Sequence, residues 1–183
     1  KPARERSPSG TPAHPRPITH HAAMGFVSAV ADAVVVLFSL TIVVAAPLID
    51  GQTVLPHTLY PAQLRDLKRW YAAEFDDYLM AQPPAFLRGL FWMELAFLWP
   101  LSVATLYGVL AKRRWAATTS LMAGVSTLTS MSAILGEMLG SGRATPKLLQ
   151  LYVPYVVFAV VAILRGLCSC SAPPSTAARK KRV

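Results

Sequence analysis

Two carboxylates beside long apolar runs, Asp50 and Glu94, are the residues of this chain best placed to do chemistry. Glu94 stands inside the apolar stretch from Phe91 to Pro100, and no charge follows it between Leu95 and Ala111. A charge near mid-bilayer costs roughly 2.5 to 3.5 kcal/mol, so an acidic residue there usually faces a protein interior and has a function. The alternative is that Glu94 only caps a span near the headgroups.

Four uncharged runs are each near the length that crosses a hydrocarbon core of about 30 Å as a helix. They cover residues 33–49, 95–111, 115–136 and 148–164. Backbone polar groups in lipid are satisfied only within helices or closed barrels, and the runs show no alternating pattern, so helices are favoured. With 54% hydrophobic and 15% charged residues, the sequence predicts an all-α membrane protein with a bundle of four transmembrane helices.

The formal net charge of +9 does not indicate binding to nucleic acid, because the basic residues lie at the ends of the spans. They precede the first span, join the second to the third and follow the fourth: Lys1, Arg4, Arg6, Arg16, Lys112, Arg113, Arg114, Arg165, Arg179, Lys180, Lys181 and Arg182. By the positive-inside rule, both termini and the loop 112–114 are cytosolic and the long first loop is luminal or exterior.

This topology puts several polar side chains in the luminal half of the bundle: Asp50, Glu94, Ser130, Tyr152 and Tyr155. The sequence alone does not bring them together. If the two acids meet, they cannot easily both ionise in a medium of low dielectric constant, and the pair should share a proton. Ser126 and Ser130, four apart, could line the same cavity or hydrogen-bond only between helices.

Three spans contain a proline at a similar level: Pro47, Pro100 and Pro154. Proline cannot donate to the helix ladder, and its ring displaces the carbonyl four residues back. We therefore expect the first span to kink or open at Pro47. Because Pro100 has no N–H group, we also expect the carbonyl of Ala96 to have no backbone donor. Broken helices around two carboxylates would form a small polar cavity inside an apolar shell.

The first loop contains the pattern of an amphipathic luminal helix. Pro61 can open this helix, and apolar residues recur at steps of three and four through Leu79. They are Leu64, Leu67, Tyr71, Phe75 and Tyr78. We expect the helix to cap the bundle or to lie in the luminal interface. Asp77 is interpreted as a structural residue that caps or pairs locally.

The two ends of the chain are interpreted as lying outside the membrane domain of residues 24–168. Residues 1–23 are rich in proline and basic residues, which predicts a disordered leader, and Met24 is a candidate native start. His20 and His21 have no further ligand beside them, so no metal site is predicted. Residues 169–183 form a basic cytosolic tail. Its Lys180 and Lys181 have the spacing of a dilysine retrieval signal, although a basic flank that fixes orientation would look similar.

Several motifs, in matching order and spacing, resemble the sigma-2 receptor family of EXPERA-domain membrane proteins. They are Tyr60 to Phe75, Gln82 to Phe86, Glu94-Leu95 and Tyr152 to Tyr155. The likeness covers about residues 28 to 168, and the form of Ala46 to Asp50 indicates a plant member. The resemblance implies a four-helix protein of the endoplasmic reticulum that is linked to sterol handling, lies in the lipid bilayer and binds sterols or hydrophobic amines.

The resemblance also implies roles for particular residues. The family's amine-binding aspartate falls on Asp50, its partner glutamate on Glu94, and a structurally important loop aspartate on Asp77. A cationic amine would donate a charge-assisted hydrogen bond to the carboxylate of Asp50, while protonated Glu94 also donates to the aspartate. Leu98 replaces a pocket glutamine of the family and Ser130 a threonine, so the preference among amines is expected to differ.

Two other functions stay open. EXPERA proteins also include sterol Δ8-Δ7 isomerases, which use an intramembrane histidine; no predicted span here has one, although Glu94 and Asp50 could serve as general acid and base. The chain could instead be a chaperone or trafficking partner of another membrane protein, with structural carboxylates. Gly136 and Gly140, four apart at the end of the third span, leave a homodimer open. No cofactor is predicted.

Overall fold

The computed structural model describes residues 18–170, and every regular element in that range is a helix. The helices are α1 Ile18–Leu48, α2 Ala62–Glu74, α3 Tyr78–Ala81, α4 Ala85–Met93, α5 Trp99–Leu110, α6 Ala116–Gly140 and α7 Pro146–Cys170. Short 3-10 turns at Asp50–Thr53 and His57–Leu59 follow α1, and a π turn at Glu94–Leu98 joins α4 to α5. The prediction of an all-α protein is confirmed.

Three stretches are long and apolar enough to cross a membrane, judged by length and composition: Gly25–Thr53, Ala85–Leu110 and Pro146–Ser169. The fourth long helix, α6, has 25 residues, which is enough to cross about 30 Å at 1.5 Å per residue. Its many serine and threonine side chains lower its mean hydropathy. The membrane character of the chain is therefore supported by three helices, and the count of four spans stays a prediction.

The first helix begins earlier than the sequence suggested. α1 starts at Ile18, so it includes the end of the stretch 1–23 that was interpreted as a disordered leader. No proline or glycine stands between Ile18 and Gly25, so nothing in this stretch of the sequence interrupts the helix. Residues 1–17 and 171–183 lie outside the described residues, and with them Lys180 and Lys181.

The predicted luminal helix is also divided in two. α2 ends at Glu74, and Asp76 then takes a positive φ of 50°, a left-handed conformation that a short polar residue tolerates better than most others do. Asp77 caps the separate short helix α3. The continuous helix expected through Leu79 is therefore wrong after Glu74, because the turn at Asp76 and Asp77 redirects the chain toward α4.

Helices α6 and α7 approach closely at two glycines. A Cβ atom on Gly124 would lie 2.7 Å from the carbonyl oxygen of Ala159, and one on Gly166 would lie 2.7 Å from the Cβ of Leu121. Small residues let helix backbones approach one another within membranes. The less apolar α6 is thereby packed tightly against an apolar span.

One arginine ties three helices at the end of the bundle that contains the loop 112–114. Arg165 of α7 donates from Nε to Oδ1 of Asp32 on α1 at 2.5 Å, and from Nη1 to the carbonyl oxygen of Ala116 on α6 at 3.4 Å. Arg165 is largely buried, whereas Asp32 is partly exposed. A charged residue within a span is thus neutralised by a partner inside the protein.

The opposite end is held by contacts between the first loop and the start of α7. Lys147 donates to the carbonyl oxygen of Glu74 and, at 2.7 Å, to its carboxylate. The guanidinium of Arg143 lies 3.8 Å from the centroid of the Tyr78 ring, within the range of a cation–π contact. These contacts place α2 and α3 over the end of the bundle.

Replacing Gly124 by leucine should lower the melting temperature of the detergent-solubilised protein, because the new side chain would force α6 and α7 apart. Overpacking of this kind costs about 1–3 kcal/mol. Gly136→Leu is the matched control on the same helix, since nothing lies within 4 Å of a Cβ there. Equal destabilisation by the two substitutions would contradict the close approach at Gly124.

Candidate functional site

A cavity of about 330 Å³ lies in the half of the bundle opposite the loop 112–114. All five side chains predicted to bind a ligand line it: Asp50, Glu94, Ser130, Tyr152 and Tyr155. The rest of the wall is mainly apolar and includes Leu87, Phe91, Leu98, Met131 and Ile134. The structure therefore brings together residues from the 3-10 turn after α1, the π turn, α6 and α7, which the sequence alone did not place side by side. Their role in binding stays a prediction.

Asp50 follows directly on the broken end of α1. Pro47 lies in the last turn of this helix, and its missing N–H leaves the carbonyl of Val43 without the usual partner four residues on. The indole N–H of Trp99 donates to that carbonyl at 3.1 Å. The proline thus ends the helix near Asp50 while a residue of the neighbouring span satisfies the released carbonyl.

The 3-10 turn that contains Asp50 is fixed by the buried amide of Gln52. Its Nε2 donates to the carbonyl oxygen of Leu48 at 2.6 Å and to that of Leu64 at 3.1 Å. The first carbonyl belongs to the end of α1 and the second to α2. One buried side chain therefore joins the carboxylate-bearing turn to the helix that covers the cavity.

Tyr60 braces the same turn from the other side. Its hydroxyl donates to the carbonyl oxygen of Pro47 at 2.8 Å, and a Cβ atom on Gly51 would lie only 2.5 Å from that hydroxyl oxygen. Burial, together with the nearby Asp50 carboxyl, raises the pKa of Tyr60, so this hydroxyl remains a hydrogen-bond donor. The residue after Asp50 is therefore glycine for steric reasons.

A cation also lies near the turn. The ammonium of Lys68 on α2 donates to Oγ1 of Thr53 at 2.5 Å. Burial lowers the pKa of Lys68, whereas the nearby Asp50 carboxyl acts in the opposite direction. Asp50 thus lines the cavity with one cation nearby, the ammonium of Lys68, which lies in the first loop.

Glu94 is the first residue of the π turn that precedes Pro100. The backbone N–H of Trp99 donates to the carbonyl of Glu94, five residues back, and Pro100 then falls in the first turn of α5, where a missing N–H is tolerated. The interruption expected from Pro100 is thus an inserted wide turn, a feature that is frequent at functional sites.

Asp77 is fully buried, and its three hydrogen bonds are internal to the protein. Oδ1 accepts from the backbone N–H groups of Leu79 and Met80, each at 3.1 Å, and Oδ2 accepts from the hydroxyl of Tyr152 at 2.8 Å. Tyr152 therefore lines the cavity with its ring while its hydroxyl is engaged by Asp77. Among the described residues, the hydroxyl of Tyr155 forms no hydrogen bond with Asp77.

Three further lining residues have a polar side-chain atom and were not assigned to a site from the sequence: Trp70, Tyr71 and Thr127. Trp70 is 58% exposed, which puts it at the rim. Burial and the nearby carboxyl of Asp77 raise the pKa of Tyr71, so its hydroxyl stays protonated. Tyr71 had been placed on the apolar face of the luminal helix. The position of Thr127 in the wall could have been predicted from its spacing, since it lies one turn of α6 before Ser130.

The arrangement can hold a molecule that carries a polar group on an apolar body. The two acids supply hydrogen-bond acceptors, or a donor if one is protonated, at the end near the first loop. Within the described residues, no group of three or more histidine, cysteine or acidic side chains could hold a metal ion. The chemistry available at this site is that of two carboxylates among aromatic and aliphatic walls.

Residues 63–166 match the model of the EXPERA (EXPanded EBP superfamily) family. Proteins named sigma intracellular receptor 2 are similar to this chain. The one from Macaca fascicularis is 30% identical over 131 residues, 63% of this chain and 74% of that protein. The one from Homo sapiens is 37% identical over 91 residues, 49% of this chain and 52% of that protein. The one from Xenopus tropicalis is 30% identical over 135 residues, 67% of this chain and 79% of that protein.

The region matched by the family model contains Glu94, Ser130, Tyr152 and Tyr155 and begins after Asp50. The first carboxylate therefore lies outside the part of the chain that the family model matches. The plant origin indicated by the residues around Asp50 stays a prediction.

Asp77→Ala should lower the melting temperature strongly, because it removes the cap of α3 and leaves the Tyr152 hydroxyl without its acceptor. The expected loss is about 2–4 kcal/mol. Asp66→Ala is the control: Asp66 is an exposed residue paired with Arg69 at 3.0 Å, and such pairs contribute little. A melting temperature for Asp77→Ala as high as that of the control would show that the buried carboxylate is not needed for stability.

Proposed function

The chain belongs to the EXPERA family, and from that membership we propose that it binds sterols or hydrophobic amines within the membrane, in the cavity beside Asp50 and Glu94. One observation carries the proposal: two carboxylates from different elements line a single cavity whose walls are otherwise mainly apolar. The similarity to proteins named sigma intracellular receptor 2 supports a receptor-like binding function.

A protonated hydrophobic amine suits both parts of the cavity. Its ammonium would donate a charge-assisted hydrogen bond to Asp50 and relieve the repulsion between the two acids, with Glu94 protonated and donating to the aspartate. The apolar body would gain roughly 25 cal/mol for each Å² that it buries. The cavity volume of about 330 Å³ falls in the range of sites for small molecules.

A sterol would use the same site through its hydroxyl. A hydroxyl donates one hydrogen bond and accepts others, so it can donate to an ionised Asp50 and accept from a protonated Glu94. The rings would then contact the apolar wall. The amine and the sterol are thus alternative occupants of one site, and both depend on the carboxylate pair.

The second candidate function is sterol isomerisation, which the carboxylate pair also favours. An isomerase must protonate a double bond and remove a proton elsewhere, and two acids in a cavity could serve as general acid and base. The lining residues include no histidine, the residue that the sterol isomerases of this superfamily use. We therefore propose binding without catalysis as the main function.

We also propose that the protein lies in the endoplasmic reticulum membrane, with α6 as a fourth span and both termini in the cytosol. The support is the distribution of charge. Lys112, Arg113 and Arg114 lie between α5 and α6, whereas the acidic first loop is at the other end, which agrees with the positive-inside rule. The retrieval role proposed for Lys180 and Lys181 rests on their sequence spacing alone.

Asp50→Asn and Glu94→Gln should each weaken saturation binding of a labelled hydrophobic tertiary amine to membranes by at least about tenfold, since a charge-assisted hydrogen bond is lost. Asp66→Asn, which alters an exposed acid outside the cavity, should bind like the wild type. Expression and melting temperature are checked for each variant. The binding proposal fails if the wild type does not bind, or if all four proteins bind equally, and conversion of a sterol substrate by purified protein then tests the isomerase.

Labelling of single cysteines tests the fourth span. In a background in which Cys168 and Cys170 are serine, Arg113→Cys should react with a membrane-impermeant maleimide in sealed microsomes. Ser141→Cys, at the other end of α6, should react only after the membrane is permeabilised. Reaction of both positions in sealed microsomes would mean that α6 does not cross the membrane.

A further inference from the structure

Thr127, at the end of the cavity far from the first loop, has a hydroxyl that the binding chemistry above does not use. Its side chain lines the cavity, is 2% exposed, and its Oγ1 has no hydrogen-bond partner among the residues that the structure describes. Thr127 precedes Ser130 by three residues on α6, so it lies on the same face roughly 4.5 Å deeper in the bundle.

Other hydroxyls in these spans behave differently. Four of them donate to the carbonyl four residues back at 2.8 to 2.9 Å: Thr41, Thr105, Thr129 and Ser132. This bond is the usual solution for a serine or threonine within a helix. The hydroxyl of Thr127 does not make it, although a buried hydroxyl without a partner is unfavourable. It is therefore free to bind a group that enters the cavity.

Two more unpartnered hydroxyls lie behind the same end of the cavity. Ile42 and Leu98 line the cavity there. Ser39 precedes Ile42 by three residues and Ser102 follows Leu98 by four, so each serine shares a helix face with one of these lining residues. Both serines are fully buried, and neither hydroxyl has a partner among the described residues. The polar character thus continues one turn beyond the end of the cavity.

We propose that Thr127 is a ligand-binding residue that holds a neutral oxygen at the end of the ligand opposite the group bound by the carboxylates. This inference rests on the proposed function. A threonine hydroxyl can both donate and accept, so it suits a hydroxyl, ether or carbonyl oxygen. A charged group is disfavoured there, because the surrounding residues Ile42 and Leu98 offer no countercharge. The ligand is therefore an apolar molecule with a polar group at each end.

The test compares Thr127→Val, which removes the hydroxyl and keeps the shape, with the wild type. The probes are N,N-dimethylalkylamines of graded chain length, each in two forms, one ending in a hydroxyl and one in a methyl group. Their affinities are measured by competition with the labelled tertiary amine. At the chain length that reaches Thr127, the valine variant should bind the hydroxyl form roughly fivefold to tenfold more weakly and the methyl form equally well.

Thr129→Val is the matched control. Thr129 is two residues away on α6, exposed, and its hydroxyl already bonds the carbonyl of Val125 at 2.9 Å, so its loss should change neither affinity. Melting without ligand provides a second readout. Thr127→Val should melt no lower than the wild type, because no internal hydrogen bond is lost.

Four results would overturn the proposal. If Thr127→Val weakens both forms of the probe equally at every chain length, the residue affects packing and not recognition of an oxygen. If it lowers the melting temperature markedly without ligand, the hydroxyl has a structural partner. If neither probe binds the wild type, the proposed function fails and this inference fails with it, whereas binding of both probes without discrimination at Thr127 refutes this inference alone.

Discussion

The half of the bundle around the cavity depends on the burial of one carboxylate, Asp77. A buried acid is tolerated only if its oxygens are satisfied by donors inside the protein, and here two backbone N–H groups and the hydroxyl of Tyr152 do this. The same three bonds fix the start of α3 and hold the first loop against α7. Asp77 thus has a structural role, whereas Asp50 and Glu94 line the cavity.

The bundle divides into a tightly packed end and an end that contains the cavity. At the first, Arg165 joins three helices, and Gly124 and Gly166 bring α6 and α7 into close backbone contact. At the second, prolines interrupt α1 and the junction of α4 with α5, and the freed volume is lined by side chains. Small residues thus provide close packing where helices are regular, and prolines provide space where they are not.

Much of the site could be predicted from the sequence because it depends on simple lengths. Uncharged runs predict the spans, their alternating direction predicts the level of each residue, and Asp50 and Glu94 therefore fall at a similar level in the bundle. What could not be predicted depends on side-chain direction. The hydrogen bond from Tyr152 to Asp77 depends on how the helices are rotated about their axes, which hydropathy does not record.

The ends of the helices were also difficult to predict from the sequence. The start of α1 at Ile18 and the break at Asp76 each depend on one or two residues whose conformational preferences are small, so the sequence pattern does not fix them. Composition alone does not identify α6 as a span, because the serine and threonine residues that help it pack and line the cavity also lower its hydropathy. Polar function and membrane character oppose one another in that helix.

The hydrogen bond from Trp99 to the carbonyl that Pro47 releases has a consequence for how such sequences can diverge. In lipid a carbonyl without its backbone partner needs another donor. The indole of Trp99 therefore stabilises the structure only while Pro47 leaves the carbonyl of Val43 without a backbone donor. The two positions should therefore change together in descendants of this sequence. A lineage that lost the tryptophan first would pass through a less stable intermediate, whereas one that lost the proline first would not.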